Sequence, residues 1–68
     1  MKNRLEEERL RRGWTQQELA DRVDVSRQTV ISLERGRYNP SIVLAFKLAR
    51  LLDMTIENLF LYEDGDHD

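Results

Sequence analysis

The chain has 68 residues, 35% of them charged, with 11 Lys and Arg against 13 Asp and Glu for a net charge of −2. So short a chain makes one domain with a thin core, which favours burying more surface against a second copy. It has no cysteine and a single histidine, His67, among acids, which excludes disulfides and thiolate metal sites and leaves no catalytic metal site or cofactor to expect.

Punctuation at Gly13, Asp24, Gly36 to Pro40, Asp53 and Glu63 divides the chain into five short helices, an all-α bundle. The first is expected from about Asn3 to Arg12, with Leu5 and Leu10 as apolar contacts and Gly13 as its left-handed stop. Thr15-Gln16-Gln17-Glu18 is a capping box that opens the second helix, with Trp14 stapled onto Leu19 outside it. Val25-Ser26-Arg27-Gln28-Thr29-Val30 repeats that grammar for a third helix, with Ser26 as cap and Val25 packed on Val30. Only two or three residues separate helices two and three, so they must cross steeply, as in a helix-turn-helix unit. Asp24 stands where such a corner usually has glycine, which predicts a mildly strained left-handed residue. Arg35 to Pro40 is a loop, and Ser41 or Asn39 starts a fourth helix whose Leu44, Ala45, Leu48, Ala49 and Leu52 form a hydrophobic spine. A fifth helix follows Thr55, with Met54 and Leu59 as its staple.

The apolar runs are only a few residues long and Met1-Lys2-Asn3-Arg4 is charged, so no membrane span or signal peptide is read, and a cytoplasmic protein is expected. Charge is divided by position. All eleven cations lie within residues 1–50 against seven acids, a net of +4, while residues 51–68 carry six acids and no Lys or Arg. A basic body can present a positive face to phosphates whatever the total, and the acidic end reads as a solubilising tail. The organisation is therefore a domain over 1–62 that ends in a dimerisation segment, followed by a tail over 63–68.

Thr15-Gln16-Gln17-Glu18-Leu19-Ala20, Val25-Ser26-Arg27-Gln28-Thr29-Val30 and Leu33-Glu34-Arg35-Gly36, in that order and spacing, resemble the XRE, or Cro/cI-like, family over residues 3 to 60. Tyr38-Asn39-Pro40-Ser41 with Leu44-Ala45-Phe46-Lys47-Leu48-Ala49 is similar to the short subgroup that includes the cytolysin repressor. The resemblance implies a lambda-repressor-like fold and a prokaryotic, nucleoid-associated regulator that binds double-stranded operator DNA as a homodimer. It also implies that Gln16 contacts phosphate, that Arg9 and Glu34 form an ion pair, and that Lys2 to Arg4 pair with Phe60 to Tyr62 in a small sheet.

Helix three carries the chemistry. At about 100° per residue, Val30 and Leu33 turn inward, while Gln28, Ile31, Ser32 and Arg35 turn outward with Arg27 at their flank. Gln28 can pair with adenine, Arg27 with guanine or a phosphate, Ser32 with either kind of partner, and Ile31 can cover a thymine methyl. Any one of these would ordinarily be a solvated surface residue; together, on a capped helix after a tight corner, they point to base reading. Gln16, Arg35, Arg37, Tyr38 and Asn39 are the expected phosphate contacts. Arg37 and Tyr38 read equally well as a solvated loop, and Tyr38 as packed on the core. A helix this short reads few base pairs, so a second copy is needed, and Phe46, Arg50, Leu59, Phe60, Leu61 and Tyr62 are the expected interface. No paired carboxylates, nucleophile with base or phosphate-cradling loop suggests an enzyme or a small-molecule ligand. The rival reading is a protein-interaction module, an antitoxin or adaptor, on the same fold.

Overall fold

A computed structural model describes residues 1–37 and 39–62. In chain order the elements are β1 (Lys2–Asn3), α1 (Leu5–Arg11), α2 (Gln16–Val23), α3 (Arg27–Glu34), α4 (Ile42–Leu51), α5 (Ile56–Leu59) and β2 (Phe60–Leu61). The expected acidic tail, 63–68, lies outside the described residues. Five helices and a two-stranded sheet are the architecture expected from the sequence.

The starts of α2 to α5 are chemically uniform. Thr15, Ser26, Ser41 and Thr55 each hold extended backbone angles and accept a hydrogen bond from the amide three residues on, of Glu18, Thr29, Leu44 and Asn58 respectively. Each hydroxyl thereby satisfies an amide that the first turn cannot pair. At α2 the box is complete, because the Glu18 carboxylate accepts from the Thr15 amide at 2.9 Å. Of the two expected starts for α4, the structure uses Ser41.

The stops of α1 to α4 are uniform as well. Gly13, Asp24, Gly36 and Asp53 all take positive φ, between 54° and 71°. After each, the next amide reaches back five residues, Trp14 to Arg9, Val25 to Ala20, Arg37 to Ser32 and Met54 to Ala49, at 2.9 to 3.2 Å. This double-bonded closure satisfies the last carbonyls and reverses the chain within two residues. Trp14, Val25 and Met54, the residues just past three of these stops, pack half-buried against the core.

The core draws on every helix, with Leu5, Leu19, Val30, Leu33, Leu48, Leu52 and Leu59 fully enclosed. β1 pairs antiparallel with β2, Lys2 opposite Leu61 and Asn3 opposite Phe60, and the Arg4 amide extends the ladder by donating to the Leu59 carbonyl at 2.9 Å. The sheet thus ties the two ends of one chain together.

α1 departs from expectation in two ways. It begins at Leu5, since Asn3 belongs to β1 and its side-chain oxygen accepts from the Leu5 amide at 3.0 Å. Leu10 is 59% exposed and makes no core contact of the expected kind. The inward arc of α1 is Leu5, Glu8, Arg9 and Arg12, and Leu10 falls about 140° from Leu5 around the axis. Glu8 and Arg9 are buried in its place, each held by partners. Arg12 Nη1 donates to the Glu8 carboxylate at 2.9 Å and to the Glu8 carbonyl at 3.0 Å, while its Nη2 donates to the Leu52 carbonyl at 2.9 Å. That single guanidinium joins α1 to the end of α4. Among the described residues no helix is long and apolar enough to cross a membrane.

Candidate nucleic-acid interface

α2 and α3 are joined by Asp24, Val25 and Ser26 alone, and the corner is possible because Asp24 accepts a φ of 60°. α3 is about 12 Å long, close to the width of a B-DNA major groove. Val30 and Leu33 pin its inner side to the core. On the opposite arc Arg27, Gln28 and Arg35 are exposed, and Ile31 and Ser32 are half-buried along the flanks. The arc is centred on Gln28 and Arg35, with Ile31 toward Arg27 and Ser32 on the other side. Ile31 therefore shows only part of its side chain, and its exposure costs less than its residue type suggests.

The ends of this arc carry the positive charge. Arg27, Arg35 and Arg37 have no carboxylate partner among the described residues. Arg37 and Asn39 are exposed in the loop after α3; Tyr38 lies outside the described residues. Gly36 anchors the start of that loop. It stands at φ +69°, and an added Cβ would come within 2.8 Å of the Met1 carbonyl oxygen, so both conformation and space require glycine there. Asn3 reinforces the join by donating to the Leu33 carbonyl at 2.7 Å.

At the other end, Gln16 is half-buried in the first turn of α2, and its Nε2 donates to Glu34 Oε1 at 3.1 Å. Glu34 is also gripped by Arg9, whose Nε and Nη2 donate to its two oxygens at 2.7 and 3.3 Å. Arg9 Nη1 reaches on to the Trp14 carbonyl at 2.8 Å. The side chains of Arg9 and Glu34 are 9% and 3% exposed, so this is an enclosed, multiply bonded ion pair of the kind whose disruption leaves a costly orphan charge. The pair ties α1 to the end of α3, and the Gln16 bond to Glu34 brings the beginning of α2 into the same network. The sequence carried the Arg9–Glu34 pair only through resemblance, and it carried no sign that Gln16 joins it.

Two ionisable groups are shifted by their surroundings. Hydrogen bonds from Arg12, then the charges of Arg11 and Arg12, hold the Glu8 carboxyl below its ordinary value against the opposing cost of burial. The Thr15 amide does the same for Glu18.

The residues expected at a subunit interface divide. Phe46 and Tyr62 are 54% and 68% exposed, Arg50 is exposed and Leu61 is half-buried. Leu59 and Phe60, at 0% and 7%, are instead enclosed by their own subunit. Leu59 at the end of α5 and Phe60 at the start of β2 both turn inward, which corrects their expected place in an interface. The structure adds two residues: Ile42 and Val43, 69% and 61% exposed, lie on the same outer arc of α4 as Phe46 and Arg50. Eight of the ten residues of Ile42–Leu51 are apolar, more than one inward stripe can use. That excess was the available signal.

A family model described as helix-turn-helix matches residues 5–59 of this chain. The chain belongs to that family. Its relatives are named as regulators. An uncharacterized HTH-type transcriptional regulator of Archaeoglobus fulgidus is 48% identical over 66 residues, covering 97% of this chain and 94% of its own. Another, from Methanothermobacter thermautotrophicus, is 51% identical over 67 residues, 96% and 97% of the two chains. The crystal structure of the restriction-modification controller protein C.AhdI from Aeromonas hydrophila superimposes with a TM-score of 0.74 at 40% identity, covering 84% of this chain and 86% of that one. This XRE-type helix-turn-helix protein is thus a DNA-binding transcriptional regulator, in a family that is not an enzyme class.

Proposed function

We propose that the protein is a homodimeric repressor that lays α3 in the major groove of each half of a palindromic operator. The observation that carries this reading is the outward arc of α3, where Arg27, Gln28 and Arg35 stand exposed opposite the buried Val30 and Leu33. Arg27 and Gln28 have the donor geometry for guanine and adenine edges, Ser32 suits either base or phosphate, and Ile31 suits a thymine methyl. Gln16 on one side, and Arg35, Arg37 and Asn39 on the other, are the phosphate contacts that fix register, with Tyr38 a further contact of that kind.

A single α3 reads too few base pairs for useful specificity, and two copies bound about one helical turn apart supply the rest. The exposed Ile42, Val43 and Phe46 favour α4 as the surface that joins the copies, with Arg50, Leu61 and Tyr62 at its margin. Such a dimer represses most simply by occluding a promoter.

Selection of sites from a random DNA pool, followed by titration of Arg27→Ala and Gln28→Ala, tests the reading. Each substitution is expected to weaken specific binding by about 1 to 3 kcal/mol without altering the melting curve. Full operator affinity in both variants would overturn it, and failure to bind any duplex at low salt would favour a protein-interaction module instead.

A further inference from the structure

We infer that Glu34 positions the Gln16 amide for a backbone phosphate, so that the ion pair of the domain also presets a DNA contact. The inference rests on the DNA-binding reading above and adds Glu34, a residue buried away from the expected interface, to the machinery of phosphate recognition. A glutamine amide has two faces, a carbonyl acceptor and an NH2 with two donors, and on a free side chain either can be turned toward a ligand. A phosphate accepts hydrogen bonds and offers none, so only the NH2 orientation is productive. Glu34 Oε1 lies 3.1 Å from Gln16 Nε2, and an ionised carboxylate is acceptor-only. The carbonyl face of Gln16 is therefore excluded from that position, and the amide is held with nitrogen toward Glu34. One N–H is engaged there, and among the described residues the second has no partner.

A carboxylate beside a phosphate site would ordinarily repel the ligand. Here the bidentate grip of Arg9, at 2.7 and 3.3 Å, offsets the Glu34 charge and leaves the orienting hydrogen bond in place. Gln16 also sits in the first turn of α2, where the backbone dipoles favour an anion. The order of dependence is Arg9, Glu34, Gln16, phosphate: Glu34 is a positioning residue and Gln16 the contacting one.

The test uses a duplex of arbitrary sequence, because a phosphate contact does not depend on the bases. Glu34→Asp keeps the charge that Arg9 requires but withdraws the carboxylate from Gln16. It is expected to weaken binding about 3- to 10-fold at every salt concentration and to leave the slope of log affinity against log salt unchanged, because the Gln16 amide is neutral and releases no counterion. Gln16→Ala should do the same, and Glu34→Asp should add nothing in the Gln16→Ala background. An equal loss from Glu34→Asp in both backgrounds, or a salt slope made shallower as when a Lys or Arg contact is lost, overturns the proposal. A second measurement needs no substitution at Glu34. In the unaltered chain without DNA, the Gln16 side-chain amide should already be rigid by 15N relaxation, and a freely rotating amide overturns the proposal equally. A parent chain that binds no duplex at all removes the DNA-binding reading itself, and this inference with it.

Discussion

Asp24 and Asp53 do the work of glycine at two of the four helix stops, at φ 60° and 54°. Left-handed backbone costs an ordinary residue about 1 to 2 kcal/mol, and aspartate less because its short polar side chain tolerates the region. Glycine removes that cost but loses more freedom on folding, about 0.5 to 1 kcal/mol, so the balance at Asp24 is narrow. Asp24 also lines a shallow groove with Arg22, Lys47 and Arg50. Asp24→Gly is expected to raise the melting temperature by a few degrees, measured in high salt so that the change of charge itself is screened. Calorimetry that recorded a fall would show the corner is relaxed with aspartate in place. Gly36 has no such latitude, since its missing Cβ makes room for the Met1 carbonyl.

At the scale of elements, α1 and α2 illustrate two ways of holding a helix in a small domain. α2 buries an apolar stripe, Leu19, Ala20 and Val23, behind a capping box. α1 buries Leu5 together with Glu8 and Arg9, and its attachment is largely ionic. This difference has a pH signature. Glu8 and Glu18 are both held below the ordinary glutamate value of 4.5, so each favours the folded state while ionised. Their contribution is complete above that value and is lost as pH falls through their lowered folded-state values. Melting temperature should therefore drop on acidification below about pH 4.5. Glu8→Gln should melt lower at neutral pH and show a flatter acid limb; an acid limb identical to the parent's would mean that the Arg11 and Arg12 contacts add nothing.

At the scale of the whole molecule, two open surfaces stand out among the described residues: the arc of α3 and the outer side of α4. Ile42, Val43 and Phe46 make an exposed apolar strip that a lone subunit leaves in water. Removing the C-terminal segment from residue 59 is a poor test of dimerisation, because Leu59 and Phe60 are part of the monomer core and their loss should unfold the chain. Ile42→Lys with Phe46→Glu changes only exposed positions. Sedimentation should find this double variant monomeric and folded, with operator affinity reduced at least 10-fold because half-sites are no longer bound together. A variant that still sediments as a dimer would move the interface elsewhere.

The sequence by itself determined the local devices: the hydroxyl caps at Thr15, Ser26 and Thr55, the left-handed stops at Gly13 and Asp24, and the outward arc of α3, while at α4 it left Ser41 and Asn39 as alternatives. These depend on residues within one or two turns, and a side chain that bonds a neighbouring amide carries its role in its own chemistry. The tertiary structure alone decided that Leu10 faces out, that Leu59 and Phe60 face in, that Ile42 and Val43 remain uncovered, and that Gln16 meets Glu34. Apolar side chains are interchangeable as to which surface they bury, and a glutamine can bond any carboxylate within reach. Only the packing of helices remote in sequence selects among those partners.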